Sequence, residues 1–271
     1  YVPTSSSIFS LTLRHQSSRV HRYFIRLSYN GTAFCGWQFQ TNAPTVQEEL
    51  NKKMSLLLRE EISCVGCGRT DTGVHARKFY AHFDSVKDDL AANEQIIFRL
   101  NKILPHGIAI RQIYKMKQEN AHARYAAKWR SYEYHISHVK DPFGSDLSWE
   151  LHEKLNTAAM NRGAKILLAY EDFIAFSKTG GSSKTTLCTV KKAKWHKTET
   201  GLFFSITANR FLRNMVRAIV GTLVDVGRGK LVPEDVRRII KSGKRSQAGM
   251  SVPAEGLFLT DIQYPKEFRL D

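Results

Sequence analysis

The stretch GCGRTDTGVHA, Gly66 to Ala76, carries a single carboxylate, Asp71, in a segment punctuated by three glycines. The segments before it (ISCVGC, 62–67) and after it (KFYAHFD, 78–84) have the composition of β-strands. The glycine spacing does not match a dinucleotide fingerprint, and one carboxylate is too few for a calcium loop. The stretch therefore predicts a glycine-rich turn between two strands, with an acidic residue at its centre.

Two interpretations of Asp71 are open. In the structural one, its side chain accepts a hydrogen bond from its own backbone as an Asx-turn, the commonest fate of an aspartate between threonine and glycine. In the functional one, Arg69 lies on the same side of an extended chain and keeps the carboxylate ionised where water is excluded. An ionised carboxylate in such a position is a candidate nucleophile or base.

Outward from this turn, both halves of the chain mix strands with helices. Alternating apolar residues predict strands at 23–29 and 131–139, and strand-like segments are also predicted at 108–116, 185–195, 202–208 and 256–264. Helical periodicity predicts helices over about 45–60, 90–104, 148–168 and 210–226, and one that opens at Pro233. Thr45 and Glu48 predict a capping box. The pattern indicates two α+β units, an N-terminal half (21–120) with the Asp71 turn and a C-terminal half (121–271).

The charge balance points to a polyanionic partner. The chain has 41 Lys and Arg against 25 Asp and Glu, a net charge of +16. A basic surface attracts phosphates over long range and releases counterions on binding; a merely soluble basic protein is the alternative.

Two segments could form such a surface. On a helix over 210–226, Arg210, Arg213, Arg217 and Gly221 would share one side, which suits phosphates, although an incidental surface is the alternative. The segment 123–136 interleaves cations and aromatic rings, as in proteins that bind unpaired RNA: Arg124, Tyr125, Lys128, Trp129, Arg130, Tyr132 and Tyr134. Because Tyr132 and Tyr134 share one strand face, either ring could instead belong to the core.

Several other classes of site are disfavoured. Cys64 and Cys67 have metal or redox spacing but lack a second ligand pair, and GGSSKTT (180–186) lacks the glycine before Lys184 that a phosphate loop needs. His152 and Glu153 are followed by Asn156 where a zincin helix needs histidine. Four cysteines are too few for a disulfide scaffold, and no apolar run spans a bilayer.

The first 20 residues are rich in serine and contain arginine but no acidic residue. This composition is similar to an organellar transit segment and also fits a leader that is not native, so we expect residues 1–20 to be disordered or non-native. Without a secretory signal, the expected compartment is the reducing cytoplasm.

GRTDTGVHA closely resembles the catalytic signature of the TruA family of tRNA pseudouridine synthases. Further segments resemble family motifs and occur in the expected order: YNGTAFCGWQ (29–38), ARYAAKWRSYEY (123–134), FLRNMVRAIVG (211–221) and AEGLFL (254–259). The resemblance spans about residues 22–264. It implies an α+β fold of two ferredoxin-like halves, which form a mixed, largely antiparallel sheet flanked by helices around a central active-site cleft.

The resemblance also implies an activity. Such a protein is a homodimeric enzyme that isomerises uridines 38–40 of the tRNA anticodon stem-loop to pseudouridine, with no metal or organic cofactor. One departure is AYEDF (169–173), where Glu171 replaces a histidine common in relatives and alters the expected RNA contacts. The alternative function is a non-catalytic tRNA-binding or chaperone module on the same fold, which would not need Asp71.

The implied roles map onto single residues. Asp71 matches the catalytic aspartate, Arg69 the arginine that pairs with it, and Arg217 a basic residue near the carboxylate. Tyr132 matches the tyrosine that stacks on the target base, and Leu257 the lining of the uracil pocket. The other expected substrate contacts are Arg124, Arg210, Arg213, Gly68, Thr70 and His75.

Overall fold

The computed structural model describes residues 19–178, 180 and 185–270, which contain nine strands and five α-helices. The strands are β1 His21–Tyr29, β2 Val65–Gly66, β3 His75–Ser85, β4 Ile108–Lys115, β5 Trp129–Ser137, β6 Trp149–Glu150, β7 Val190–Lys197, β8 Gly201–Ala208 and β9 Leu257–Gln263. The helices are α1 Val46–Leu58, α2 Glu94–Ile103, α3 Thr157–Ile166, α4 Met215–Gly227 and α5 Asp235–Ser242.

All nine strands belong to one sheet, whose main order is β4-β1-β3-β9-β5-β8-β7. The short strand β2 pairs with β3, and β6 pairs with β5. The β3–β9 and β5–β6 pairs are parallel and the others are antiparallel. The predicted α+β class with a mixed, largely antiparallel sheet is therefore confirmed.

The last strand joins the two halves of the sheet. β9 lies between β3 of the first half and β5 of the second. Leu257, near its start, belongs to the apolar cluster formed by the C-terminal half, whereas Leu259 packs in the N-terminal cluster. Tyr132 on β5 contacts both clusters. The junction is thus built from apolar contacts, and the boundary near residue 120 stays a prediction.

Helix α1 forms where its sequence predicts. Thr45 Oγ1 accepts a hydrogen bond from the backbone N–H of Glu48 at 3.3 Å, which satisfies one of the free donors of the first turn. The Glu48 carboxylate does not complete the capping box but pairs with Lys52 at 2.7 Å. The buried residues recur at helical spacing and face the N-terminal cluster: Val46, Leu50, Met54 and Leu58.

Helix α4 starts later than predicted. Asn214 has φ 65°, in the left-handed region that a right-handed helix excludes, so α4 begins at Met215. Arg210 and Arg213 therefore precede the helix, and the prediction of an arginine stripe along it is wrong. Gly221 does permit a close approach, but to this chain's own backbone: a Cβ there would lie 1.9 Å from the carbonyl oxygen of Met250.

The helix predicted over 148–168 is also too long. β6 pairs with β5 inside this range, and the Asn156 side chain caps α3 by accepting from the Ala159 N–H at 3.0 Å. Most of the GGSSKTT segment (180–186) and residues 1–18 lie outside the described residues. Within the described part of the chain, no helix combines the length and the apolar character needed to cross a membrane.

Candidate active site

Asp71 lies in the turn between β2 and β3. The N–H of Val74 donates to the Asp71 carbonyl at 3.1 Å, and Gly73 adopts φ +78°, the conformation that a type II turn requires at this position. Among the hydrogen bonds of the described residues, none joins the Asp71 carboxylate to its own backbone, so no Asx-turn consumes it. Its side chain is 36% exposed. The carboxylate is therefore open to a ligand.

The segment 29–38 packs against the backbone of this turn. A Cβ at Gly36, where φ is +85°, would lie 2.3 Å from the Thr70 carbonyl oxygen, and one at Gly31 would lie 2.1 Å from that of Val74. The N–H of Trp37 also donates to the Thr70 carbonyl, at 3.4 Å. Two glycines therefore let one loop pack directly against the backbone that carries Asp71.

We expect Gly36→Ala to destabilise the fold and to slow turnover. The side chain would be strained at positive φ, which costs about 1–3 kcal/mol, and it would push the Thr70 carbonyl away. Gly229→Ala is the matched control, because φ there is +74° but a Cβ would meet no described atom within 4 Å. Urea unfolding and a turnover assay on both variants test this. Equal losses would show that contact with the Asp71 turn is unimportant.

Two residues expected to contact substrate have structural contacts. His75 is 1% exposed; its Nδ1 accepts from the Gly31 N–H at 3.0 Å, and its Nε2 donates to the Glu255 carbonyl at 3.0 Å. Burial lowers the pKa of His75, which favours the neutral ring that these two bonds require. The Thr70 hydroxyl is buried against the Tyr29 hydroxyl at 2.8 Å. Both residues position the turn, and a contact of either with the substrate stays a prediction.

The guanidinium beside Asp71 belongs to Arg217, not to Arg69. Arg217 Nη1 lies 3.8 Å from Asp71 Oδ2, and its Nε donates to the Val252 carbonyl at 2.6 Å. Arg69 is exposed and forms no ion pair with Asp71 within 4 Å. The predicted pairing of Arg69 with Asp71 is therefore replaced by a contact from helix α4, while the placement of Arg217 near the carboxylate matches expectation.

Tyr132 completes the group. Its ring packs edge-to-face on Phe211, with centroids 5.1 Å apart at 85°. Burial is the main cause that raises the pKa of Tyr132, and the nearby Asp71 carboxylate raises it further, so the phenol stays protonated at neutral pH. Leu257 is buried at the start of β9, opposite Tyr134. The site thus combines a carboxylate, a guanidinium and a phenol at an apolar junction.

The remaining predicted contacts are spread around this group. Arg124 and Arg213 are exposed, and Arg210 is partly buried in the segment before α4. At Gly68, a Cβ would meet no described atom within 4 Å, so the backbone there is accessible.

Arg130, which the sequence grouped with possible RNA-binding cations, has an internal role. Its Nη1 donates to the Ala127 and Asn209 carbonyls, and its Nη2 to those of Arg124 and Cys67, at 2.6–3.3 Å. It thus ties the start of the Asp71 turn to β5 and to the segment before α4. In the sequence, Arg130 is marked only by its place among aromatic residues, which does not reveal this internal role.

The cysteine pair lies in an environment that disfavours the thiolate form. Cys64 and Cys67 are buried free thiols. Burial raises the pKa of Cys67 to about 12 and that of Cys64 still further, so both stay protonated at neutral pH. That the pair is neither a metal nor a redox site stays a prediction.

Comparison with known proteins identifies the family of this chain. A family model described as tRNA pseudouridine synthase matches residues 164–265. Relatives named tRNA pseudouridine synthase A align over most of the chain. The one from Porphyromonas gingivalis is 46% identical over 251 residues, 92% of this chain and 99% of its own. Those from Azobacteroides pseudotrichonymphae and Thermoanaerobacter sp. are 45% and 40% identical, covering 91% and 89% of this chain and 98% of their own. This chain therefore belongs to the TruA family of tRNA pseudouridine synthases.

Proposed function

We propose that this protein isomerises uridine to pseudouridine at positions 38–40 of the tRNA anticodon stem-loop, with Asp71 as the catalytic carboxylate. The observation that carries the proposal is the accessible Asp71 side chain with Arg217 3.8 Å away. Members of the family are isomerases of uridine in tRNA, and the net charge of +16 suits an RNA substrate. We also propose a homodimer in the cytoplasm, as the resemblance implies.

The reaction involves no net oxidation or reduction. The residues therefore need only to position the nucleotide and to stabilise developing charge. The C1′–N1 bond breaks, the detached uracil rotates, and C5 bonds to C1′. The proton on C5 is then lost and N1 gains one. Asp71 either attacks C1′ and is later displaced by C5, or removes the C2′ proton to form a glycal and returns it to C2′ when C5 bonds to C1′. In each of them Arg217, whose Nη1 lies 3.8 Å from Asp71 Oδ2, orients the carboxylate and stabilises negative charge on it.

The target nucleotide must leave its stack to reach Asp71. Extruding a base costs a few kcal/mol. Tyr132 offsets part of this by stacking on the uracil, since its ring lies at the junction of the two apolar clusters. Arg124, Arg210 and Arg213 would hold flanking phosphates, and Leu257 would limit the uracil pocket. Gly68 would allow the sugar–phosphate backbone to pass close to the turn.

The function is tested with tRNA transcripts that carry C5-tritiated uridine, because formation of pseudouridine releases the label. We expect release from a transcript with uridine at positions 38–40 and none when these positions are replaced by cytidine. A transcript in which only uridines outside the anticodon arm are replaced is the control and should react normally. Release that persists without uridines 38–40 would contradict the proposed site.

A further inference from the structure

Tyr125 is an aromatic ring with an unusual environment. Its side chain is 77% exposed, in the segment that leads into β5. It forms the outer end of a row of tilted rings: its centroid lies 4.2 Å from that of His122 at 35°, and the His122 centroid lies 4.5 Å from that of His82 at 58°. At this exposure, most of the Tyr125 ring surface is open to a ligand.

Hydrogen bonds to the backbone hold the two histidine rings of this row in place. His82 Nδ1 accepts from the Ala123 N–H, and His122 Nδ1 accepts from the Arg124 N–H, each at 3.1 Å. Burial is the main cause of the lowered pKa of both imidazoles, and the pKa of His82 falls to about 4. Both rings are therefore neutral at pH 7, as their acceptor roles require. The loop does not have to be ordered when a ligand binds, which favours affinity.

The loop adjoins the turn that carries Asp71. One nitrogen of Arg130, Nη2, donates to the Arg124 carbonyl at 2.6 Å and to the Cys67 carbonyl at 3.3 Å. The residue after Cys67 is Gly68, where the backbone is accessible. Tyr125 thus stands beside the start of the catalytic turn and outside the group formed by Asp71, Arg217 and Tyr132.

Cations accompany the aromatic rings of this segment. The Arg124 guanidinium lies 5.9 Å from the Tyr125 ring, and Lys191 Nζ lies 5.1 Å from the Trp129 ring. Aromatic faces next to cations are the arrangement that binds unpaired nucleotides, since rings stack on bases and cations hold phosphates. The segment offers no acidic side chain between Ala121 and Ser131. Its chemistry therefore fits single-stranded RNA better than a protein partner.

We propose that Tyr125 is a stacking platform for one unpaired nucleobase of the substrate RNA, other than the target uracil, with Arg124 holding an adjacent phosphate. This inference rests on the proposed function, because it assumes an RNA substrate that reaches Asp71. It adds a second stacking position to the one proposed for Tyr132. It also explains why a large aromatic ring is left exposed on a preorganised loop.

The test measures RNA affinity apart from turnover. Wild type, Tyr125→Ala and Tyr125→Phe are titrated with an anticodon stem-loop RNA that carries 2-aminopurine in its loop, and turnover is measured at saturating tRNA. Phe98→Ala is the matched control, because Phe98 is also exposed and lies 5.5 Å from a lysine, Lys102, but on helix α2. Thermal unfolding of each variant confirms that it is folded.

We expect Tyr125→Ala to raise Kd roughly tenfold to a hundredfold, the usual loss for one stacked base, and to reduce quenching of 2-aminopurine. Tyr125→Phe and Phe98→Ala should bind within about twofold of wild type, and kcat should change little. If Tyr125→Ala bound RNA with wild-type affinity, or if Phe98→Ala lost as much affinity, the proposed stacking role of Tyr125 would be contradicted. A wild type that forms no pseudouridine yet loses affinity on Tyr125→Ala would refute the proposed function and leave the platform standing.

Discussion

Replacing Asp71 by asparagine is expected to abolish formation of pseudouridine while leaving RNA binding nearly intact. The amide has the shape of the carboxylate but can neither attack C1′ nor remove the C2′ proton, so both routes are blocked. Removal of a group that bonds to or deprotonates the substrate costs at least about a thousandfold in kcat. Because the side chain is partly exposed, the substitution should not disturb the fold. Tritium release and RNA titration on the same preparation measure both effects.

Asp261→Asn is the matched control for this variant. Asp261 lies on β9 and pairs with Lys78 at 3.0 Å, so the same change of charge and shape occurs on the same sheet. It should leave kcat unchanged. Turnover in Asp71→Asn equal to that of wild type would remove Asp71 from catalysis. RNA binding by a wild type that releases no tritium would support the alternative of a non-catalytic module.

The local parts of the fold follow from the sequence because their signals are local. Helix α1 contains its own cap in Thr45 and its own apolar stripe, and β1 alternates buried and half-buried residues from Ile25 to Tyr29. The aspartate between glycines predicts the turn. Gly73 adopts a positive φ, which is why the turn needs a glycine there.

What the sequence could not predict depends on contacts between distant segments. The start of α4 is set by one residue, Asn214, in the left-handed conformation, which helical periodicity does not detect. The partner of Asp71 is Arg217 instead of the neighbouring Arg69, because the packing of α4 and residues 249–252 brings it there.

Residue type alone also could not assign the polar side chains their roles. Arg130 resembles an RNA-binding cation in sequence, yet its donors serve four carbonyl oxygens of its own chain. His75 lies in the signature segment but is buried as a link between two loops. Only the tertiary structure decides whether such donors face solvent or backbone.

Arg217→Gln is expected to lower kcat about a hundredfold while changing KM only a few-fold. The glutamine amide can still donate to the Val252 carbonyl, so the packing between α4 and residues 249–252 should persist. What it removes is the positive charge 3.8 Å from the carboxylate. Loss of one charged or polar group that stabilises a reacting centre usually costs about a hundredfold to a thousandfold. Arg217→Lys should recover part of the rate, because it restores the charge without the second donor.

Arg237→Gln separates this local effect from the loss of overall charge. Arg237 is exposed on helix α5, so its replacement removes the same charge without touching Asp71. Steady-state kinetics should give this variant a wild-type kcat, with at most a small rise in KM relative to wild type that diminishes as salt increases. If instead Arg217→Gln affected KM alone, as a lost phosphate contact does, Arg217 would bind RNA and the carboxylate would act without it. A fall in kcat confined to the Arg217 variants, with partial rescue by lysine, would mean that the Arg217–Asp71 contact contributes to the chemical step.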